Sequence, residues 1–319
     1  MHINEFQIND KSIDEGTIKL LKNKLMNEKD LKNKIVWVTG ASSGIGASLV
    51  TQLNNLGTIV IASARRKEKL VKLKKKSANP KNIIIIPLDI TNTNSIKKAI
   101  AKIQQLDKLD LVIHNAGISQ KGLVIENEMK IDRTIMETNY FGTISLTKAV
   151  MPIYLKQGFG SFAVVSSFAG VMGLPGRSAY AASKHALHGF FESLRAENIR
   201  CKIHVSFIIP GFINTRITAK GLCGDGIPHG RVETSHQMGM TPRQCADKII
   251  KGLSKRKSRI LIGKIEVFLL YIHKISPRLS HYIIKNHPMK KIRNIKSKIK
   301  RPIKFKRISM VEKVNEEFK

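Results

Sequence analysis

Ile35-Val36-Trp37-Val38-Thr39-Gly40-Ala41-Ser42-Ser43-Gly44-Ile45-Gly46 decides how the chain is read. An apolar run ends in a glycine turn, and the turn leads into Ala47-Ser48-Leu49-Val50, which reads as part of a helix over 44–56. Strand, glycine turn and helix N-terminus in that order make a phosphate site in an α/β fold. The turn lets backbone N–H groups approach a pyrophosphate, and the helix dipole favours its negative charge. The spacing Gly40-x-x-x-Gly44-x-Gly46 is not the G-x-G-x-x-G form. On its own it is also compatible with an ordinary tight turn, so the downstream sequence has to decide.

Downstream, strands and helices alternate without a long gap. The stretches 58–63, 83–87, 111–114, 161–166, 203–209 and 259–262 read as further strands. Helical stretches fall at 67–76, 95–106, 132–154, from about 180 onward, and at 242–254. This order predicts an α/β fold with one Rossmann-type, doubly wound parallel sheet over 33–263. A polar extension (1–32, with a short helix at 18–26) precedes it, and a basic, partly apolar extension (264–319) follows.

Three further groups of residues carry chemistry. Asn115-Ala116-Gly117 follows the fourth strand, and its small residues permit close backbone approach. Ser167 closes the fifth strand thirteen residues before Tyr180, and Tyr180 and Lys184 are four apart on one helical face. Pro210-Gly211-Phe212-Ile213-Asn214-Thr215 follows the sixth strand. Asn139 lies inside the helical stretch 132–154, where a polar, weak helix former needs a reason to be.

Taken together, these motifs resemble those of the short-chain dehydrogenase/reductase family: T-G-x-x-x-G-I-G, N-A-G, S-x12-Y-x3-K and P-G. The likeness covers about 33–263. It implies an oxidoreductase that interconverts a carbonyl and a secondary alcohol, with Asn139, Ser167, Tyr180 and Lys184 as catalytic residues. It also implies a nicotinamide dinucleotide held by Gly40, Ser42, Ser43, Gly44, Ile45 and Gly46. Asp89 would meet the adenine amino group beside the Ile90 backbone. Asn115, Ala116 and Gly117 would lie against the adenosine ribose, and Tyr180 and Lys184 against the nicotinamide ribose. Pro210, Gly211, Ile213 and Thr215 would serve the nicotinamide and pyrophosphate. Asn139 would hold a water at a helix kink, and relatives imply a homo-oligomer paired through the helices at 132–154 and 180–195. The run Ser178-Ala179-Tyr180-Ala181-Ala182-Ser183-Lys184-His185-Ala186 resembles the NADP-dependent, steroid-dehydrogenase-like branch.

The chemistry explains the residue types. Hydride transfer to a carbonyl leaves a developing alkoxide that needs a proton, and a phenol near pKa 10 is a poor acid–base group at neutral pH. A cation near it, from Lys184 or an oxidised nicotinamide, is expected to lower that pKa. Ser167 can donate a hydrogen bond to the substrate oxygen. Ser166 is the neighbour most easily confused with it, while His185 and His188 are expected to face neighbours on the helix.

The end of the second strand selects the cofactor. An acid there would bond the free 2′-hydroxyl of NAD, but the chain offers Ala64-Arg65-Arg66-Lys67. An arginine can grip a 2′-phosphate bidentately. NADP(H) is therefore expected, with Arg65 first and Arg66 second; the alternative is a solvated start to a basic helix.

Composition sets the remaining bounds. Three well-separated cysteines argue for a reducing compartment, no metal-ligand cluster is legible, and no 18-residue apolar run occurs. A cytoplasmic protein without a signal peptide is expected. Of the net charge of +33, residues 251–319 carry +17. The apolar run 265–272 followed by the basic run 289–307 is the pattern of a segment on the inner, anionic face of a membrane, with a packed helix and solvated tail as the alternative. Few aromatics are interleaved with those charges, which speaks against nucleic acid as the partner. A non-catalytic binding protein acting through this tail is the competing function class. Residues 216–240 show no periodicity and contain five glycines, as a lid over the substrate would.

Overall fold

The computed structural model describes residues 31–197, 201–263 and 266–286. Seven strands form one parallel sheet: β1 (Ile35–Thr39), β2 (Ile59–Ser63), β3 (Ile83–Ile85), β4 (Leu111–His114), β5 (Phe159–Val165), β6 (Lys202–Pro210) and β7 (Arg259–Ile262). Their order is β3-β2-β1-β4-β5-β6-β7, so the sequence reverses direction between β1 and β4. At that switch point the crevice beyond the strand ends is open to a ligand.

The helices are α1 (Gly44–Asn55), α2 (Lys67–Lys75), α3 (Thr93–Ile103), α4 (Met129–Met136), α5 (Gly142–Gln157), α6 (Ser178–Ala196), α7 (Thr234–Gln237), α8 (Pro242–Ser254), α9 (Glu266–Ile275) and α10 (Pro277–Asn286). The expected continuous helix over 132–154 is instead α4 and α5 joined by a π-helical turn, Glu137–Phe141. Within the stretch expected to be irregular, the short helix α7 forms.

β1 is buried along its whole length because helices cover both faces of the sheet. On one face, Leu49, Val50 and Leu53 of α1 and Ile249, Ile250 and Leu253 of α8 join Val36, Val38 and Ile208 in one core. On the other, Phe162 of β5 packs against Tyr154 of α5 and Phe191 of α6, with ring centroids 5.0 and 6.0 Å apart. His114 stacks on Phe162 at 5.6 Å and meets Thr147 Oγ1 at 3.0 Å. Burial lowers its pKa to about 3, which keeps the imidazole neutral. α3 starts at an Asn92 cap that accepts from the Ser95 N–H, and α8 at a capping box between Thr241 and Gln244.

The first compact unit ends at Tyr271, inside α9. There Leu270 is buried and the Glu266 carboxylate accepts a 3.4 Å bond from the Phe212 N–H, while Phe268 and Tyr271 are exposed. The second unit begins at Ile272, and within it His273 and Ser280 are hydrogen-bonded at 2.8 Å. No helix among the described residues is long and apolar enough to cross a membrane. The expected helix at 18–26 and the basic run 289–307 lie outside the described residues.

Phe191 is fully buried against the Phe162 and His114 rings. Phe191→Ala should cost about 3–5 kcal/mol. Urea unfolding should show a lower midpoint with an unchanged slope.

Candidate active site

The site is built where β1, β4, β5 and β6 end. Gly40 and Gly44 have φ of +64° and +57°, a region L side chains rarely adopt. A Cβ on Gly40 would lie 2.8 Å from the Ala116 Cα, and one on Gly44 would lie 3.2 Å from Thr215 Cγ2. A Cβ on Gly46 would run into the Gly40 carbonyl and the Asn115 amide. The turn therefore stays bare backbone, which suits a pyrophosphate.

Asn115 fastens this turn. Its side-chain amide donates to the carbonyls of Thr39 (3.0 Å) and Gly40 (3.3 Å), and the Asn115 and Ala116 N–H groups both donate to Thr39 Oγ1 at 3.0 Å. Asp89 Oδ1 accepts from the Thr91 N–H and hydroxyl, at 3.0 and 2.7 Å. The Ile90 carbonyl lies 3.0 Å from where a Cβ on Gly142 would stand, so α5 approaches it closely. Ile213 is buried and bridges to Met240, which pins together the two ends of the segment between them.

Of the two arginines after β2, Arg66 turns toward the glycine loop and donates to Ser42 Oγ at 3.0 Å. Arg65, the one expected first, is exposed. Arg66 is the N-cap residue of α2, and its backbone geometry directs it back over the turn. Alternation along the chain could not have separated the two.

Asn139 is fully buried within the π-helical turn. Its Oδ1 accepts from the Ile118 N–H at 2.8 Å, and its Nδ2 donates to the Ile118 carbonyl at 2.9 Å and to Ser183 Oγ at 3.0 Å. The kink expected here is present, with its cause in the widened helical turn. Ser183 in turn donates to the Tyr180 carbonyl at 2.8 Å. Asn139 thus ties the loop after β4 to the helix that carries Tyr180 and Lys184.

Ser166 and Ser167 separate by register. Ser166 is buried and meets His188 Nε2 at 2.7 Å, and the His188 ring stacks on Phe207 at 4.4 Å. Ser167 turns the other way, and its hydroxyl acts on the Tyr180 phenol, whose pKa it lowers. It also accepts from the Ala169 N–H at 3.2 Å. His185 bonds only its own helix, through Nδ1 and the Ala181 carbonyl at 2.8 Å. His188, expected to face a helix neighbour, instead supports the end of β5.

Lys184 is buried, donates to the Val165 carbonyl at 2.8 Å, and places Nζ 5.9 Å from the Tyr180 ring centroid. Burial lowers its pKa to about 8. Burial also raises the Tyr180 phenol, against the lowering effects of the Ser167 bond and the Arg177 charge. Among the protein's own groups, desolvation outweighs the charges near the phenol.

The sequence reading missed a charged clamp over the site. Glu233 pairs with Lys121 at 2.7 Å and with Arg177 at 2.8 Å. Burial alone would raise the Glu233 carboxyl, but Arg177 and Lys121 hold it below its ordinary value. Arg177 also donates to Ser119 Oγ (2.8 Å) and the Gln120 carbonyl (2.7 Å). This clamp draws on segments up to 114 residues apart, so no local signal marks it. No group of three metal-ligating side chains occurs among the described residues.

Residues 34–222 match the family model described as short chain dehydrogenase. The chain is 34% identical over 269 residues to "Dehydrogenase/reductase SDR family protein 7-like" of Drosophila melanogaster, covering 82% of each chain. Its fold is similar to a short-chain dehydrogenase/reductase of Burkholderia phymatum solved with NAD, with a TM-score of 0.68, 20% identity, and coverage of 78% of this chain and 95% of that one. It is also similar to a short-chain dehydrogenase of Burkholderia cenocepacia J2315 solved with NADP, with a TM-score of 0.67, 24% identity, and coverage of 80% and 98%. The strand order, the bare glycine turn and the Ser167, Tyr180 and Lys184 cluster agree with that match, and the chain belongs to the short-chain dehydrogenase/reductase family.

Proposed function

We propose that the protein is an NADP(H)-dependent oxidoreductase that interconverts a carbonyl and a secondary alcohol, with Tyr180 as the acid–base group. One observation carries this reading: the Lys184 ammonium lies 5.9 Å from the Tyr180 ring, with Ser167 acting on the same phenol from the carboxyl end of β5. The residues present fit a nicotinamide dinucleotide. Glycines 40, 44 and 46 leave a cradle that a Cβ would fill, and among the described residues the Lys184 ammonium bonds one carbonyl, that of Val165, with donors left for a ribose. When bound, the cofactor supplies or accepts the hydride.

The chain's own residues handle the proton and the geometry. Ser167 donates to the substrate oxygen and fixes it beside the phenol. Tyr180 gives its proton to the developing alkoxide in reduction and takes it back in oxidation. Asn139, through Ser183, holds Tyr180 and Lys184 in register with the loop after β4. The competing non-catalytic reading, in which the fold only carries the basic tail, has no support from a site assembled this completely.

Tyr180→Phe should lower kcat about 10²–10⁴-fold, the range for losing one general acid. NADPH affinity should stay within about threefold, because the ring remains. Stopped-flow turnover and fluorescence titration of NADPH check the two halves, and near-normal kcat would refute the assignment.

Lys184 supplies a pH dependence. Its folded pKa lies near 8 against an ordinary 10.5, so the ammonium is present below pH 8 and lost as pH rises through that value. NADPH should therefore bind more weakly above about pH 8, and Lys184→Met should remove that step from the affinity profile.

Cofactor choice is assigned to Arg66. Losing one charge-assisted contact is worth about 1.5–3 kcal/mol, so Arg66→Ala should cut the NADPH:NADH ratio of kcat/KM about 10–100-fold. Arg65→Ala should move the ratio less, since Arg65 faces solvent. The opposite ranking would return the role to Arg65.

A further inference from the structure

Lys184 and His188 lie one turn apart on the face of α6 that carries Tyr180, and they meet successive residues at the end of β5. The Lys184 ammonium donates to the Val165 carbonyl at 2.8 Å, and His188 Nε2 meets the Ser166 hydroxyl at 2.7 Å. The next residue along the chain is Ser167. Lys184 belongs to the acid–base group, whereas His188 takes no part in the proton transfer. The imidazole is nevertheless held from two directions, by its own helix and by the sheet. Its ring stacks on the fully buried Phe207 of β6, with centroids 4.4 Å apart and planes 7° from parallel. Phe207 pairs with Val164, so the ring is referenced to the strand beside β5. Burial lowers its pKa to about 4, which leaves a neutral ring at pH 7 with one donor and one acceptor.

The Ser166 hydroxyl is also the seat of the turn that follows it. A Cβ on Gly170 would overlap Ser166 Oγ and stand 2.9 Å from Lys184 Cβ, so the short turn Phe168–Gly170 rests its backbone against both. Ser167 opens that turn. Its hydroxyl accepts from the Ala169 N–H at 3.2 Å, and its carbonyl accepts from the Gly170 N–H at 2.9 Å. The Ser166 N–H donates to the Ile208 carbonyl at 2.8 Å, which fixes the backbone but leaves the side chain to His188. A buried hydroxyl that lost this partner would carry the full cost of its desolvation, and the turn would lose a fixed support.

We propose that His188 is a positioning residue for the reaction: by holding Ser166, it sets where Ser167 presents its hydroxyl to the substrate oxygen. This rests on the acid–base reading of Ser167 and Tyr180 and deepens it, since it names what fixes the serine. One helix then carries both the phenol and the ring that sets the register of the facing strand end. Phe207 supplies the ring with a flat support, and Gly170 supplies the space that the Ser166 hydroxyl fills.

The test uses the full-length protein, NADPH with 2,2,2-trifluoroacetophenone as an activated ketone probe, and hydrogen exchange of amides 167–171. His188→Phe keeps a ring against Phe207 but leaves the Ser166 hydroxyl without its partner. It should lower kcat about tenfold, short of the roughly 10²-fold that a misplacement of about 1 Å costs. KM for the ketone and NADPH affinity should hold, as for a contact that matters in the transition state, and exchange at 167–171 should speed up. His188→Gln returns an amide to the hydroxyl and should bring kcat back to within about threefold of wild type. Ser166→Ala should lose as much as His188→Phe, and the double variant no more than either, because both remove one contact. Should His188→Phe fail to fold, Ser166→Ala, which removes a single oxygen, carries the same test. Unchanged exchange in the single variants, or losses that add in the double variant, would overturn the proposal. If Tyr180→Phe loses turnover while the His188 and Ser166 variants keep theirs, the positioning role alone is overturned. If Tyr180→Phe keeps turnover, the acid–base reading and this proposal fall together.

Discussion

Everything else in the structure depends on the close approach of two strand ends at the point where the sheet reverses. Gly40, Gly44 and Gly46 follow β1, and Asn115 and Ala116 follow β4. A Cβ on Gly40 would lie 2.9 Å from Asn115 Nδ2, which leaves no room for any side chain there. In exchange for that missing bulk, Asn115 bonds two carbonyls of the turn and Thr39 Oγ1 accepts two N–H groups from the facing loop. A buried polar junction of this kind is favourable only when every member is satisfied. Its rigidity keeps the backbone donors of the turn aimed outward, and the order of helices and strands around it follows.

From that junction the constraint passes to α6 through Asn139. The π-helical turn costs regular α-helical bonding, and the loss is offset by the three bonds of one buried amide, to Ile118 twice and to Ser183 once. Because Ser183 also bonds the Tyr180 carbonyl, the helix cannot rotate without breaking this set. Gly117 adds a second restriction: a Cβ there would stand 3.0 Å from Asn139 Oδ1 and 3.6 Å from Lys184 Nζ. Gly117 is therefore a space requirement of Asn139 and Lys184.

Burial and charge act against each other throughout the site. Desolvation raises Tyr180 and lowers Lys184, which moves the phenol and ammonium toward their neutral forms. Arg177 offsets part of this for Tyr180 while pairing with Glu233 at 2.8 Å. One guanidinium thus acts on the Tyr180 phenol and holds Glu233 of the segment 216–240.

The sequence by itself determined the architecture and the family motifs that single out Ser167, Tyr180 and Lys184. Strand and helix periodicity, the glycine spacing, and Ser167, Tyr180 and Lys184 at fixed offsets are local patterns, and local patterns are what a linear reading can detect. It also separated Ser167 from Ser166, since alternation along a strand sends neighbouring side chains to opposite faces. Tertiary structure decided the rest. It alone chose Arg66 over Arg65 beside Ser42, turned the middle of 132–154 into a π-helical turn, and paired His188 with Ser166. It alone brought Glu233 to Lys121 and Arg177. Each of these outcomes depends on charge, desolvation or packing between segments far apart in the chain, and such energies have no counterpart in the order of neighbouring residues.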